Sequence, residues 1–110
     1  MRSKYNAVQA YACDGTKCAS NKEARRYNRL LAAQQAGEIT DLRFQVPFEL
    51  IPAQRAPSGK AYRKTVYIAD FVYTQNGQTV IEDAKGKRTE VYKLKKKLML
   101  QRYGIEIKET

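Results

Sequence analysis

The chain has 110 residues, enough for one domain (residues 1–110) around a single core, and its formal net charge is +10, from 21 Lys and Arg against 11 Asp and Glu. Such a charge indicates a polyanionic partner, because neutralising phosphates supplies affinity without any readout of sequence; a solvated basic face is the simpler alternative. No apolar run approaches the roughly 18 residues of a membrane span, and the N-terminus lacks the apolar segment of a signal peptide. We therefore expect a cytoplasmic protein with no membrane partner.

The two cysteines and the absence of histidine limit the metal and redox chemistry of the chain. A two-residue turn at Asp14-Gly15 would place Cys13 opposite Thr16 and leave Cys18 diagonal, which argues against a disulfide. Two Cys alone cannot close a four-ligand zinc site. Free thiols are therefore the expectation.

The first elements in chain order are a hairpin and a helix. A short, weakly patterned hairpin is predicted over Tyr5 to Cys18. Ser20 is an N-cap candidate with Glu23 three residues later, which is the spacing of a capping box. The helix should run to about Ala36, with Gly37 as its C-terminal stop.

A strand and a loop follow this helix. Leu42 to Val46 is predicted to be extended and to end near Pro47, because proline lacks the backbone donor. Gln45 on this strand is either a further site residue or a buried structural amide. Pro52 to Lys64 is rich in Pro, Ser, Gly and basic residues, and we expect a mobile basic loop there.

The most informative segment is a predicted hairpin over Thr65 to Lys85, with Asn76-Gly77 as a type I′ turn between two β-rich runs. Counting back pair by pair from this turn sets Asp70 directly opposite Asp83. Like charges placed opposite each other destabilise a sheet, so the pair indicates that something binds there. Because side chains alternate along a strand, Lys85 should project from the same face as Asp83.

Both faces of this hairpin carry apolar residues, which predicts a sheet covered on both sides. Alternation assigns Ile68, Val72 and Ile81 to the face of the aspartates and Tyr67, Phe71, Tyr73 and Val80 to the other.

A second helix is expected from about Glu90 to Tyr103, and a last short strand over Ile105 to Ile107. On this helix Lys93, Lys96 and Lys97 fall on one side, away from the apolar residues Val91, Leu94 and Leu98. The fold class is therefore predicted as α/β, an αβα sandwich with a mixed sheet and a short N-terminal hairpin.

Glu23 has two possible roles. It can return its side chain to the backbone at Ser20, or it can face the sheet, since it shares a helical stripe with Tyr27 and Leu30. If the helix covers the aspartate face, Glu23 joins Asp70 and Asp83 as a third acid. Three oxygen donors without histidine describe a site for Mg²⁺ or Mn²⁺. The alternative is that the two aspartates lie at a solvated strand end.

Asp70, followed on the partner strand by Asp83-Ala84-Lys85 and preceded by a helical Glu23, resembles the PD-(D/E)XK nuclease superfamily. Ala69 stands where the motif's name places Pro. Nearly the whole chain is similar to a family of small phage-encoded, nuclease-like proteins related to Holliday-junction resolvases. The stretches that carry this likeness are Arg2–Ala7, Ser20–Tyr27, Tyr67–Tyr73 and Tyr103–Ile107.

The resemblance implies a restriction-endonuclease-like αβββαβ core and metal-dependent hydrolysis of DNA. Asp70 and Asp83 would hold Mg²⁺ or Mn²⁺, with the Ala84 carbonyl as a further ligand. Glu23 would bind a second ion or a metal-bound water. Lys85 would orient the attacking water or stabilise the phosphorane.

The basic residues would then form a cradle that positions DNA through its phosphates without reading its bases. The expected contacts are Arg25, Arg26 and Arg29 on the first helix, Arg55, Lys60, Arg63 and Lys64 in the loop, Lys87 and Arg88 before the second helix, and Lys93, Lys96 and Lys97 on it.

Together these expectations favour a structure-selective DNA endonuclease. The specific hypothesis is a homodimeric Holliday-junction resolvase that acts in phage DNA recombination in the host cytoplasm, and it rests on analogy of size and charge. Two alternatives stay open. One is a non-catalytic DNA-binding module on the same fold, and the other is a nuclease subunit that works only inside a transposition or packaging complex.

Overall fold

A computed structural model describes residues 10–84 and 89–110, which form two helices, a four-stranded sheet and two small hairpins. The helices are α1 (Asn21–Gln35) and α2 (Glu90–Tyr103). The strands are β1 (Ala10–Tyr11), β2 (Lys17–Cys18), β3 (Thr40–Ile51), β4 (Gln54–Arg55), β5 (Ala61–Tyr62), β6 (Thr65–Gln75), β7 (Gln78–Asp83) and β8 (Lys108–Glu109).

The main sheet has the order β3-β6-β7-β8, with β7 and β8 parallel and the other pairs antiparallel. The predicted α/β class with a mixed sheet and an N-terminal hairpin is confirmed, and the core elements follow the order αβββαβ. Neither helix in the described ranges is long and apolar enough to cross a membrane.

Both helices begin where the sequence predicts and end within one residue of the predicted position. Ser20 Oγ accepts a hydrogen bond from the Glu23 backbone N–H at 3.1 Å, and Thr89 Oγ1 accepts one from the Tyr92 N–H at the same distance. Gly104 ends α2 in the left-handed conformation, with φ of 69°. These side chains and this glycine satisfy backbone groups that a helix end leaves without partners.

The predicted Asn76-Gly77 turn and its register are also confirmed. Both residues have positive φ, 52° and 76°, as a type I′ turn requires. The pairing of β6 with β7 runs from this turn to Phe71 and Glu82 and ends there. From that point β7 pairs with β8.

The core lies on both faces of the sheet. The α2-side cluster comprises Leu50, Tyr67, Ala69, Val72, Ile81, Tyr92, Met99 and Ile107. The α1-side cluster comprises Leu30, Ile39, Phe71, Tyr73 and Ala84. A third cluster of Ala10, Ala12, Cys18 and Ala24 joins α1 to the first hairpin.

Strand β6 does not keep one alternation of side chains along its length. Tyr67 and Ala69 pack in the α2-side cluster, as Val72 does, although an uninterrupted strand would put Val72 on the opposite face. The predicted grouping of Ile68 with Val72 is therefore wrong. Ile68 is 54% exposed, and Tyr67 takes the place expected for it.

Strand β3 changes faces at the same level. Phe44 packs against the α1-side cluster, whereas Val46 packs against the α2-side cluster. Phe44 pairs with Phe71 and Val46 pairs with Ala69, so Gln45 and Asp70 lie between two regular pairs. Both strands change faces at this point. Gln45 is exposed and has φ of 57°, a strained conformation for a residue other than glycine.

Three predicted boundaries are wrong. Strand β3 continues through Pro47 to Ile51, because β3 is an edge strand and tolerates a residue without a donor. The expected mobile loop over residues 52–64 contains the β4–β5 hairpin. The last strand is Lys108–Glu109, while Ile107 packs in the core before it.

In the first hairpin Ala10 pairs with Cys18, so Cys13 does not lie opposite Thr16 as predicted. The Ala12 N–H instead donates to the Thr16 carbonyl at 2.8 Å across the turn. Both cysteines are free thiols, Cys13 exposed and Cys18 buried.

Helix α2 packs on the sheet through a face that shares only Leu98 with the apolar side that the sequence indicates. Tyr92 and Met99 are buried, whereas Val91 and Leu94 are 63% and 57% exposed. The Tyr92 hydroxyl donates to Glu109 at 2.7 Å, so the larger aromatic side chain with a polar partner occupies the inner face.

A buried ion pair fastens α1 to the sheet. The Arg26 guanidinium donates two hydrogen bonds to the Glu82 carboxylate at 2.8 and 2.7 Å, and the Tyr73 hydroxyl donates a third. The Glu82 side chain is fully buried. Burial acts to raise the pKa of Glu82, but the hydrogen bonds from Arg26 and Tyr73 outweigh burial, and the pKa lies below its usual value.

Replacing Glu82 by Gln is expected to lower the free energy of unfolding at pH 7 by about 2 to 4 kcal/mol, because Arg26 keeps a partly buried charge without its ionic partner. Chemical denaturation measures this change. Glu38→Gln removes an exposed carboxylate and serves as the control, with an expected change below about 0.5 kcal/mol.

The same variant tests the pH dependence of stability. Because the pKa of Glu82 is lower in the folded chain, its contribution is present above the unfolded-state pKa of about 4.3 and is lost as the pH falls through the folded-state pKa. Glu82→Gln should therefore lose less stability than the unmodified chain between about pH 5 and pH 3. Equal losses would contradict this role of Glu82.

Candidate metal and nucleic-acid site

Four carboxylates are buried in the described part of the chain: Glu23, Asp70, Glu82 and Asp83. Burying a charged carboxylate is costly unless hydrogen bonds or a cation compensate. Arg26 compensates Glu82. The other three are the acids that the sequence analysis assigns to a metal site.

Asp70 lies where the strands separate and where the sheet changes faces. Its Oδ2 accepts a hydrogen bond from the Ala84 backbone N–H at 2.7 Å. The pairing of β6 with β7 ends one residue pair before the predicted Asp70–Asp83 pair, because Asp83 pairs with Glu109 of β8. The two aspartates therefore do not face each other across a regular ladder, but Asp70 binds the residue next to Asp83.

Asp83 binds a tyrosine on the α2 side of the sheet. Its Oδ2 accepts a hydrogen bond from the Tyr67 hydroxyl at 2.8 Å. Burial, this hydrogen bond and the nearby charges of Asp83 and Asp70 raise the pKa of Tyr67. The Tyr67 hydroxyl therefore stays protonated and acts as the donor to Asp83.

Glu23 is buried and returns its side chain to the backbone before α1, close to the first of its two predicted roles. Its Oε1 accepts a hydrogen bond at 3.3 Å from the backbone N–H of Ala19, one residue before the expected Ser20. Its Oε2 is buried without a hydrogen-bond partner. A buried carboxylate oxygen in this state indicates a place where a cation or a water binds.

The structure does not bring Glu23 into one group with both aspartates. Helix α1 packs on Phe71 and Tyr73, whereas Asp83 contacts Tyr67 in the α2-side cluster, so the condition that α1 covers the face of the aspartates is not met for Asp83. Residues 10–84 and 89–110 contain no group of three Asp, Glu, His or Cys able to hold one metal ion. The reason is the alternation of side chains along β7. Because Glu82 points to the α1 side of the sheet, Asp83 points to the opposite face.

Asp70 and Asp83 nevertheless suit a magnesium ion. Mg²⁺ usually binds through one or two carboxylates and keeps several waters or substrate oxygens as its other ligands. The Ala84 N–H and the Tyr67 hydroxyl each hold one oxygen of a carboxylate in place, which is how metal-binding carboxylates are commonly oriented. The Ala84 carbonyl is part of the same segment.

A cavity of about 300 Å³, here called the Asp83 pocket, opens beside this carboxylate. Strand β6 lines it with Val66, Tyr67 and Ile68, and the start of α2 lines it with Thr89, Val91 and Lys95. Lys95 is the one lysine of this pocket in the described ranges, and the sequence analysis missed it. Four lysines within α2 are alike in sequence, and only the rotation of the helix distinguishes Lys95.

The predicted DNA contacts on α1 divide into two kinds. Arg25 and Arg29 are exposed and line a cavity of about 380 Å³ with Lys22 and Thr110. Arg26 lines the same cavity but is bound to Glu82, so it has a structural role whether or not it contacts a phosphate.

The other predicted contacts lie on exposed elements, several of them with partners of their own. Arg55 donates to the Gly59 carbonyl, and the Lys60 ammonium lies 5.1 Å from the centre of the Tyr62 ring. Arg63, Lys64 and Lys97 are exposed. Lys93 pairs with Glu90 at 3.2 Å and Lys96 with Glu109 at 3.1 Å. Lys85, Lys87 and Arg88, and the stretch Arg2–Ala7, lie outside the described residues.

Comparison with curated proteins and with solved structures gives no match. A family model described as a protein of unknown function, DUF1064, matches residues 2–110. Because this match spans nearly the whole chain, the protein belongs to the DUF1064 family of proteins of unknown function.

Proposed function

We propose that this protein is a Mg²⁺- or Mn²⁺-dependent endodeoxyribonuclease. The observation that carries the proposal is two buried carboxylates where β7 leaves β6: Asp70 is bound to the Ala84 N–H, and Asp83 is bound to the Tyr67 hydroxyl. A divalent ion at these carboxylates would supply Lewis-acid activation of a phosphodiester.

The chain's own groups would orient the reacting parts. The Ala84 N–H fixes Asp70, and the Tyr67 hydroxyl fixes Asp83. Lys95 lines the adjoining pocket and is available to bind a phosphate of the substrate. Fixed positive charge near the scissile group stabilises the negative charge that develops during hydrolysis. Lys85, which lies outside the described residues, is proposed for this role.

The order of the core elements supports the resemblance to the PD-(D/E)XK superfamily. An αβββαβ core with one acid on the second core strand and another at the end of the third is the arrangement that the resemblance implies. The proposed substrate is DNA, held partly by Arg25 and Arg29, and the proposed active form is a homodimer that cuts branched DNA. This last step remains an analogy of size and charge.

A non-catalytic DNA-binding module is the second candidate. It is favoured by the lack, within the described ranges, of a third acid beside Asp70 and Asp83. Such a module would bind DNA with strong salt dependence and would not cut it.

Asp83→Asn separates the two candidates. For a nuclease, we expect the variant to cut DNA at least about 100-fold more slowly in Mg²⁺ or Mn²⁺, since losing a metal ligand removes several kcal/mol of transition-state stabilisation. Single-turnover cleavage of labelled DNA measures the rate, and a shift assay should show that binding is retained.

Asp41→Asn is the matched control, because Asp41 is exposed and the substitution removes the same charge. It should cut at the unmodified rate. DNA binding without cleavage by the unmodified chain in either ion would support the non-catalytic module instead.

Selectivity for branched DNA is tested with a four-way junction, a duplex and a single strand of shared sequence. We expect the junction to be cut at least about tenfold faster than the duplex, which corresponds to about 1.4 kcal/mol of differential transition-state binding. Equal rates on all three substrates would exclude junction selectivity and leave a general nuclease.

The basic face of α1 makes a prediction about salt. Arg25→Gln should reduce the slope of log K against log salt by about 1, because one phosphate contact is lost. Arg29→Gln should do the same. Arg43→Gln removes an equal charge from the exposed edge strand β3 and should leave the slope unchanged. Equal slopes for all three variants would place DNA elsewhere.

A further inference from the structure

A cavity of about 380 Å³, here called the α1 cavity, lies between α1 and the residue that follows β8. In the described part of the chain no acidic side chain lines it, and its lining is Lys22, Arg25, Arg26, Arg29 and Thr110. The four basic residues recur every three or four positions, so they share one face of the helix. The α1 cavity therefore concentrates positive charge at one place on the surface.

Three of these four cations have no ionic partner. Arg26 is paired with Glu82. Lys22, Arg25 and Arg29 form no ion pair with any residue that the structure describes, and the rest of the sequence contains no Asp or Glu. Like charges three or four residues apart destabilise a helix, and Arg25 has such a neighbour on either side. The arrangement costs stability unless an anion binds, which distinguishes it from a solvated face of mixed charges.

The Thr110 hydroxyl at this cavity is buried and has no hydrogen-bond partner among the described residues. Lys108 of β8 pairs with Glu82, whose side chain lies on the α1 side of the sheet. Because Thr110 is two residues further along, its side chain lies on the same side. A buried hydroxyl without a partner is unfavourable, and beside three unpaired cations it indicates a ligand with oxygen acceptors.

A phosphate group suits this lining. Guanidinium groups bind phosphate oxygens through paired hydrogen bonds, and a hydroxyl adds a single one. Three unpaired cations exceed what one carboxylate needs, and the net charge of +10 favours a polyanion that brings several phosphates. DNA is the polyanion of the proposed function, and phosphate contacts fix its register without reading a base.

We propose that the α1 cavity binds one phosphate of the DNA backbone. Arg25 and Arg29 supply charge together with Lys22, and the Thr110 hydroxyl donates a hydrogen bond. The inference rests on the proposed function and adds to it a site apart from the aspartates. Thr110 connects the two places, because its backbone N–H donates to the Asp83 carbonyl at 3.1 Å. A phosphate in the α1 cavity would thus fix the DNA relative to the metal site.

Nuclear magnetic resonance of the full chain without divalent ions tests this site apart from cleavage. Titration with inorganic phosphate, at constant ionic strength, should shift the Nε–H signals of Arg25 and Arg29 and the methyl signal of Thr110 until they saturate. Arg63, an exposed arginine outside the cavity, is the internal control. If the signals of Arg25 and Arg29 stay in place, or if Arg63 shifts equally, the cavity is not a phosphate site and the inference is overturned.

A short duplex with hydroxyl ends identifies the source of the phosphate, because its only phosphates are those of the backbone. It should shift the same signals at a lower concentration, since DNA adds contacts elsewhere on the chain. Saturation by inorganic phosphate with no response to the duplex would assign the cavity to free phosphate and overturn the inference. Duplex bound in the cavity but not cut after Mg²⁺ or Mn²⁺ is added would leave the phosphate site in place and exclude the nuclease.

Thr110→Val removes the unpartnered hydroxyl and keeps the shape of the side chain. The free energy of unfolding should not fall, because the hydroxyl makes no hydrogen bond within the described chain. Affinity for inorganic phosphate should fall at least about tenfold, the effect of one hydrogen bond to a charged group. Thr79→Val removes an exposed hydroxyl from β7 and should leave this affinity unchanged. Equal affinity of Thr110→Val and the unmodified chain would overturn the inference.

Discussion

The ion pair between Arg26 and the buried Glu82 fixes the position of the elements around it. Glu82 makes the last pair between β6 and β7 and also pairs with Lys108 of β8. Arg26 and Tyr73 hold its side chain on the α1 face, with both carboxylate oxygens bonded. Because side chains alternate along a strand, Asp83 must then point to the opposite face, towards Tyr67 and α2. The position of Glu82 therefore determines on which face of the sheet Asp83 can bind a metal ion.

Much of the fold could be predicted from the sequence because it depends on local chemistry. The caps at Ser20 and Thr89 and the turn at Asn76-Gly77 each follow from groups within a few residues. The position of Asp70 could not be predicted in this way. Counting in twos from the turn assumes an unbroken pleat, and the sheet changes faces at Asp70 and Gln45 through a strained residue. The inner face of α2 was missed for a related reason, since the partner of Tyr92 lies on β8 and is not a local signal.

A metal site with two aspartates differs from one with three acids in the ligands that it leaves to other groups. A site with two carboxylates leaves several coordination positions of Mg²⁺ to water or to substrate phosphate. Under the proposed function, metal affinity would then rise when DNA binds, because the DNA supplies oxygen ligands and the coupling is reciprocal. A cation or water at the partnerless Oε2 of Glu23 would not belong to a three-carboxylate site, since the described residues contain no such group.

One event in the sheet produces both halves of the candidate site. Where β7 leaves β6 to pair with β8, Asp70 takes the Ala84 N–H and Asp83 meets Tyr67. The same departure leaves room along β6 for the pocket that Ile68 and Val91 line. A phosphate at the aspartates would therefore lie beside a cavity that Lys95 lines. Under the proposed function, the binding energy of a neighbouring phosphate at Lys95 could then be used to position the bond that is cut.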